Sequence, residues 1–273
     1  MKRKRITQVF PCLLPLRKKQ RKTCFYLKQK LDKHHYARTK EAQILEYPVF
    51  EAKSKLVNPE TGFDLVYQEN KIHNLKLVAD TMNHLMIMPG ETFSFWECAH
   101  NADKEIPYKE GLVSVNGEIK ALYGGGLCQM SSLLFWLFLH VSLTIIERHG
   151  HACRSFPEPP GNSLYGVDAT ISEGWLDLKV KNETSHKYQI EISFDGDSMT
   201  GTIYSNELPE NDIWIENGER LYFLEQGKVY EEVDVIQKIM DKSVGKCLSS
   251  RVLYRNRCEI GYQLPENIKI KRE

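Results

Sequence analysis

Apolar positions recur at helical spacing in two stretches of the chain. Between about residues 66 and 86 they recur in steps of three and four, which predicts an amphipathic helix that ends before the breaker Pro89-Gly90. From Cys128 to about His140 most positions are apolar, which is typical of a helix buried on all sides. Both helices are therefore expected to pack into the core.

Short apolar runs separated by turn residues account for much of the remaining pattern. The Asn-Gly pair at 116–117 and the Asp-Gly pair at 195–196 are typical of hairpin turns. Further short strands are expected after residue 208, and the other runs predict strands over residues 92–96, 111–115, 119–123, 143–148, 167–172, 176–182, 188–194 and 199–205. The pattern predicts an α+β fold, with an antiparallel sheet, a buried helix opening at Cys128 and a β-rich C-terminal part.

Charge is spread unevenly along the 273 residues, although the formal net charge is only +1. Residues 1–40 hold 14 lysines and arginines against a single acid, Asp32, whereas the remainder carries a net charge of −12. We therefore divide the chain into a basic N-terminal region (1–60), a core domain (61–206) and a β-rich C-terminal extension (207–273).

Bulky apolar residues are interleaved with the basic residues of the N-terminal region. The run from Val9 to Leu16 and the group from Phe25 to Leu27 suit an interfacial contact of residues 1–40 with an anionic membrane surface. Packing of this region on the acidic body of the same protein is the alternative. No nucleic-acid partner is expected, because no recognised nucleic-acid-binding module accompanies the basic residues.

Targeting signals are weak in this sequence. The apolar run near the N-terminus spans about eight residues and is broken by Pro11 and Pro15, which is too short for a signal peptide. The run from Leu133 to Val141 is too short to span a bilayer. Seven scattered cysteines favour reduced thiols over a disulfide framework. These features predict a cytoplasmic protein, peripheral to the inner membrane face if the basic region binds lipid.

The candidate chemistry begins where Gly124, Gly125 and Gly126 lead into the buried helix at Cys128. Glycine permits positive φ and close approach of the backbone to a ligand. A helix N-terminus carries unpaired N–H donors and partial positive charge, which lower the pKa of a cysteine. Cys128 is therefore a candidate nucleophile. Gln129 and Ser131 are candidate ligand-binding residues, and Gln129 is also a candidate oxyanion donor.

His149, His151 and Asp168 follow Cys128 in the chain. Two histidines separated by one residue in an extended segment point to the same face. Together with Cys128 they hold the parts of a thiol triad, in which a histidine takes the thiol proton and a carboxylate orients the imidazole. We prefer His151 as the base. The order Cys, His, Asp resembles papain-like and transglutaminase-like proteins in arrangement, which implies a thiol hydrolase or acyltransferase.

Three other uses of these residues stay open. Cys128 packs as an unreactive core residue in the simplest of them. Cys128, His149, His151 and Cys153 carry the ligand types of a zinc site, but their spacing matches no metal motif, so no metal or other cofactor is expected. Alternatively, the glycine loop is a non-catalytic site that binds an anionic group, such as a stem-peptide carboxylate or a lipid-linked phosphate, at the helix N-terminus.

Several motifs carry a resemblance to a known family: Pro89–Phe95, Gly124–Ser131, Glu147–His151, and Asp168–Thr170 with Asp177–Lys179. In order and spacing they resemble the VanW family across roughly residues 63–205. The resemblance implies a bacterial protein linked to the cell envelope and to vancomycin-type resistance. It implies no reaction, so the proposed roles of the candidate residues rest on their own chemistry. Our hypothesis for the reaction is a thiol enzyme that acts on an amide or peptide bond of peptidoglycan or its precursors, with a cell-wall precursor or peptide as substrate.

Overall fold

The computed structural model describes residues 10–57, 62–115, 118–155 and 164–272. A 3₁₀ turn (Pro11–Leu13) leads into the helices, which are α1 (Leu14–Leu31), α2 (Val66–Met82), α3 (Phe95–Ala99) and α4 (Cys128–Leu139). The strands are β1 (His35–Tyr36), β2 (Tyr47–Lys55), β3 (Met86–Ile87), β4 (Glu91–Ser94), β5 (Glu110–Val115), β6 (Glu118–Tyr123), β7 (Leu143–Glu147), β8 (Cys153–Arg154), β9 (Lys179–Asn182), β10 (Tyr188–Asp195), β11 (Ser198–Ser205), β12 (Asn211–Asn217), β13 (Leu221–Glu225), β14 (Lys228–Asp241), β15 (Cys247–Ile260) and β16 (Ile270–Arg272).

The described strands form sheets that are largely antiparallel. One sheet has the order β1-β4-β9-β7 and a second has the order β2-β11-β10-β3, while β5 and β6 form a separate hairpin. The C-terminal sheet has the order β16-β13-β14-β15-β8, and β12 also pairs with β14. Strand β8 comes from the middle of the chain and ties this sheet to the centre of the protein. The predicted α+β class, with a β-rich C-terminal part, is confirmed.

Helix α4 lies inside the main core, as its apolar sequence predicts. Met130, Leu134 and Leu137 are fully buried. The helix packs on β2 and β11, and Gly201 of β11 permits the close approach, because a Cβ there would lie 2.9 Å from Leu137 Cδ1. The first residue of this helix, Cys128, is therefore held on a rigid element.

Helix α1 docks on the core through a buried polar contact. Gln29 Nε2 donates to Ser94 Oγ at 3.1 Å and to Asp177 Oδ2 at 3.2 Å. The same Asp177 oxygen accepts from the Ser94 hydroxyl at 2.6 Å, and Asp177 is fully buried. Burial raises the pKa of Asp177 to about 6, although the Ser94 hydrogen bond and Lys179 oppose the shift. The basic helix is thus part of the folded body.

Two predicted boundaries shift because of local backbone geometry. Helix α2 ends at Met82 rather than near residue 86, since His84 takes a φ of 62° and the chain then enters β3, which pairs with β10. The strand predicted over 92–96 ends at Ser94, whose side chain accepts from the Glu97 N–H and caps helix α3.

The strand predicted over 167–172 is wrong, because side chains replace a strand ladder there. The N–H of Ala169 donates to Ser132 Oγ, and the Ala169 carbonyl accepts from Ser131 Oγ.

The strand predicted from residue 176 begins at Lys179, and β14 and β15 are longer than expected at 14 residues each. The turn at 116–117 and residues 156–163 of the predicted loop lie outside the described residues. Among the described helices, none is long and apolar enough to cross a membrane.

Candidate functional site

The half-buried thiol of Cys128 faces the irregular segment that follows Asp168. Its Sγ lies 3.5 Å from Thr170 Oγ1 and 3.8 Å from the Ile171 carbonyl oxygen. Burial by itself would raise the pKa of this thiol, but interactions with His151, the Ile171 backbone and Thr170 outweigh it and the pKa is lowered. A lowered pKa increases the thiolate fraction, and the thiolate is the nucleophile.

His151 interacts with this thiol and is held by Asp168. Its Nδ1 lies 2.5 Å from Asp168 Oδ2, and its backbone N–H donates to the same oxygen at 2.8 Å. Burial disfavours the charged imidazole, but the bonds to Asp168 and Cys128 raise the pKa of His151. Because Nδ1 is engaged by the carboxylate, Nε2 is the ring nitrogen left to exchange a proton with the thiol.

Arg148 anchors Asp168, a role that the sequence analysis missed. Arg148 Nη2 donates to Asp168 Oδ1 at 2.9 Å, and Nε donates to the Asp168 carbonyl at 2.7 Å. Burial would raise the pKa of Asp168, but His151 and the Arg148 guanidinium hold it well below its usual range. The carboxylate is therefore ionised and fixed in position, as an orienting group requires.

The C-terminal sheet supports the site through the same arginine. Arg148 Nη1 donates to Asn256 Oδ1 at 2.8 Å, and the guanidinium lies 4.6 Å from the centre of the Tyr254 ring. The Tyr254 hydroxyl and Arg148 Nη2 both donate to the carbonyl of Gly166, at 2.9 and 2.8 Å. Arg148 lies inside the motif that carries both histidines, so its position in the sequence could have marked it as a site residue. Asn256 and Tyr254 lie in no motif, and nothing in the sequence marks them.

His149 pairs with Glu147 rather than with the thiol. Its Nε2 lies 3.1 Å from Glu147 Oε1, and this carboxylate also lies 3.4 Å from Lys179 Nζ through its second oxygen. Strand β7 ends at Glu147, so residues 149 and 151 do not share the strand face expected from their spacing. The structure brings Cys128, His151 and Asp168 together and leaves His149 outside the group.

The glycine loop is closely packed against the β5–β6 hairpin. A Cβ at Gly125 would lie 2.1 Å from the carbonyl oxygen of Gly111, so neither residue tolerates a side chain at this contact. Gly124 and Gly126 have φ values of 70° and 97°, which favour glycine. Asn74 Nδ2 donates to the Gly125 carbonyl at 3.0 Å and secures the loop to α2. Positive φ and close packing therefore account for the three glycines.

Gln129 and Ser131 hold backbone segments in place. Gln129 Nε2 donates to Ser54 Oγ at 2.8 Å and to the Lys55 carbonyl at 2.7 Å. Ser131 Oγ is buried and donates to the Ala169 carbonyl at 2.6 Å. The amide nitrogen of Gln129 is thus bonded to β2. Within the described residues, the backbone N–H of Cys128 has no acceptor, which leaves it as the candidate oxyanion donor.

A cavity of about 760 Å³ opens beside His151 and Asp168, and the neighbouring Gln129 lines it although Cys128 itself does not. His151 and Asp168 form part of its wall, and the other lining residues include Trp136 and Asn256.

In the part of the chain that the structure describes, no group of three or more His, Cys, Asp or Glu side chains is arranged to hold a metal ion. The structure therefore lends no support to the alternative zinc site.

Comparisons with known proteins agree with the motifs. The family described as VanW like protein matches residues 70–204. The chain is 48% identical to the vancomycin B-type resistance protein VanW of Enterococcus faecalis over 271 residues, which cover 99% of this chain and 98% of that protein. It is 34% identical to the uncharacterized protein YoaR of Bacillus subtilis over 141 residues, 51% of this chain and 45% of that protein. No solved structure matches. The near full-length match and the shared motifs show that this chain belongs to the VanW family.

Proposed function

We propose that this chain is a cysteine-dependent enzyme that acts on a peptide or amide bond of a cell-wall precursor and contributes to vancomycin resistance. The observation that carries the proposal is the geometry of His151, whose imidazole is oriented by the anchored carboxylate of Asp168 and lies close enough to Cys128 to lower the pKa of its thiol. The link to resistance comes from the near full-length relative, which is described as a vancomycin B-type resistance protein.

In the proposed reaction, His151 accepts the Cys128 proton and the thiolate attacks the carbonyl carbon of the substrate, forming a C–S bond. The backbone N–H of Cys128 donates to the oxyanion that develops. The imidazolium then returns the proton to the leaving nitrogen as the C–N bond breaks. Water releases the acyl group in a hydrolase, whereas a second amine releases it in an acyltransferase.

Alkylation of the cysteines by iodoacetamide tests this site directly. Because the pKa of Cys128 is lowered, we expect it to react with an apparent pKa below the reference value of ~8.5. His151→Ala should raise that apparent pKa, whereas His149→Ala should leave it unchanged because His149 contacts Glu147 instead. Peptide mass spectrometry over about pH 5 to 9 measures each site, since iodoacetamide reacts with the thiolate.

The exposed thiols of Cys12 and Cys24 are internal controls in the same experiment. If both are alkylated while Cys128 stays inert across the range, Cys128 is a packing residue and the thiol-enzyme proposal fails. A Cys128 profile that does not respond to His151→Ala contradicts the pairing of the two side chains.

A non-catalytic binding module is the second candidate function, and Lys71 favours it. The stem of this half-buried lysine packs on Gly126, where a Cβ would lie 2.2 Å from Lys71 Cγ. Burial lowers the pKa of Lys71, and the Lys71 ammonium forms no ion pair among the described residues. An anionic ligand group here would meet an ammonium close to the N-terminus of α4. Such a module would tolerate Cys128→Ser, which a thiol enzyme would not.

We further propose that the N-terminal region contacts an anionic membrane at its cytoplasmic face. Phe10, Leu14 and Leu16 are exposed apolar residues that precede a basic run starting at Arg17. Other basic residues of α1 face the body of the protein, since Lys22 Nζ lies 2.8 Å from Glu173. The exposed end of α1 thus combines apolar and basic side chains, as interfacial helices do.

Vesicle binding tests the membrane proposal. The protein should co-sediment with vesicles that contain anionic phospholipid and not with neutral ones, because each basic residue near the surface adds about 1 kcal/mol. Lys18→Glu combined with Lys19→Glu should weaken binding by tenfold or more. Since salt screens this attraction, co-sedimentation that is unchanged at high salt contradicts the proposal.

A further inference from the structure

Strand β2 is the edge of its sheet, and no described strand pairs with its outer side. The Leu56 N–H donates to the Asp197 carbonyl at 2.6 Å, so the main chain of Leu56 faces the β11 side. Main-chain groups alternate between the two sides of an antiparallel strand. Glu51, Lys53 and Lys55 therefore direct their N–H and C=O groups outward.

The Lys55 carbonyl supports this alternation independently. It accepts from Gln129 Nε2 at 2.7 Å, which requires that it point away from β11. Since Gln129 follows Cys128, the bond fixes the end of the free edge beside the candidate nucleophile. The outward main-chain groups of Glu51 and Lys53 have no hydrogen-bond partner among the described residues, and both residues line the cavity that His151 also lines.

A second sheet edge faces the same cavity. At β8, the carbonyls of Arg154 and of Ala152, which precedes the strand, accept from the N–H groups of Gly261 and Glu259, both at 2.9 Å. Cys153 lies between them, so its main chain is directed away from β15, and Cys153 lines the cavity as well. The cavity is therefore bordered by main-chain donors and acceptors from two sheets.

The cleft is long in the direction of β2. A second cavity of about 1360 Å³ shares Lys53, Ser54 and Trp136 with the first and continues to Trp214 of β12. Nine residues of β2 extend over roughly 30 Å at the usual rise of a strand. This shape fits an extended chain better than a compact small molecule.

We propose that the substrate is an extended peptide that binds as an added strand on β2, with its main chain bonded to Glu51 and Lys53 and its reacting carbonyl at Cys128. The inference rests on the proposed function and names the substrate class of the same site. In strand addition the main-chain bonds provide affinity, and contacts to alternate side chains provide selectivity. Trp136 and Leu133 in the cavity wall are the apolar surfaces available for such contacts.

Amide hydrogen exchange tests the proposal in the Cys128→Ala variant, which binds without reacting. The probe is the soluble stem peptide of uncross-linked peptidoglycan. We expect exchange at the Glu51 and Lys53 amides to slow by about tenfold or more, because each gains an acceptor. The amides of Ala52 and Ser54, which already face β11, serve as the internal control. No slowing at Glu51 and Lys53 overturns the inference, whether the peptide binds elsewhere or not at all.

Turnover of the same peptide by the unmodified protein separates the two proposals. Turnover without protection of the β2 amides overturns strand addition and leaves the thiol enzyme standing. Protection without turnover supports strand addition as a binding mode and counts against the enzyme.

A proline at position 53 supplies an independent test. Lys53→Pro removes an outward N–H, which an edge strand tolerates, while Lys53→Ala removes the side chain and keeps the N–H. We expect the proline variant to bind the stem peptide about tenfold more weakly than the alanine variant. Equal affinity of the two variants, with both folded, overturns the proposal.

Discussion

Cys128→Ser is expected to reduce turnover by on the order of 10³-fold or more while leaving the thermal unfolding midpoint close to that of the unmodified protein. Serine is nearly isosteric with cysteine, so the contacts of Sγ with Thr170 and Ile171 are largely kept. A hydroxyl, however, does not ionise beside His151 as the thiol does. The measurement is the vancomycin resistance of a strain that depends on this protein, together with turnover of cell-wall stem peptides.

Cys98→Ser is the matched control for this experiment. The Cys98 thiol lies on helix α3, and burial raises its pKa to about 12, so it contributes no thiolate at neutral pH. We expect this variant to retain activity and resistance. If Cys128→Ser also retains both, the thiol-enzyme proposal is wrong, and the binding module with Lys71 beside the glycine loop becomes the better account.

Arg148→Met is expected to destabilise the fold by about 3 kcal/mol, or a decrease in the unfolding midpoint of roughly 10 °C. The Arg148 side chain is only 8% exposed and donates hydrogen bonds to Asp168, Gly166 and Asn256. Without it the partly buried Asp168 carboxylate loses its guanidinium partner and keeps only His151. The loss should also raise the apparent pKa of Cys128, because a less constrained Asp168 orients His151 less well.

Arg255→Met provides the control for Arg148, since both arginines pair with an aspartate at short distance. Arg255 Nε lies 2.7 Å from Asp234 Oδ1, but the Arg255 side chain is 61% exposed. Exposed pairs contribute about 0–1 kcal/mol, so a small change in the midpoint is expected. Thermal unfolding followed by circular dichroism compares the two variants. A similar small loss in both would mean that Arg148 does not anchor the site.

Sequence patterns predicted the helices and strands that are determined by residues close together in the chain. Helix α4 was predicted because its apolar run leaves no polar face, and its start at Cys128 because glycines precede it. The α+β class followed from strands bounded by turn residues. Helix α3 was missed because it depends on a single side chain, Ser94, which caps a five-residue segment that otherwise resembles a strand.

The remaining details of the site depend on contacts that are distant in sequence. Whether His149 or His151 faces Cys128 depends on the end of β7 at Glu147, which spacing alone does not show. The role of Arg148 requires Asn256, which lies 108 positions further along the chain. The direction of the Gln129 amide likewise depends on β2, 74 positions earlier. No local pattern encodes which distant partner a polar side chain finds.

The docking of helix α1 limits how this protein can be shortened. From its basic composition alone, this helix could be taken for a targeting segment that can be removed or replaced without affecting the fold. A chain that starts after Leu31 would lack Gln29, and Asp177 would lose one of its donors and the cover of the helix. Truncation should therefore stop before residue 14, because residues 14–31 belong to the folding unit.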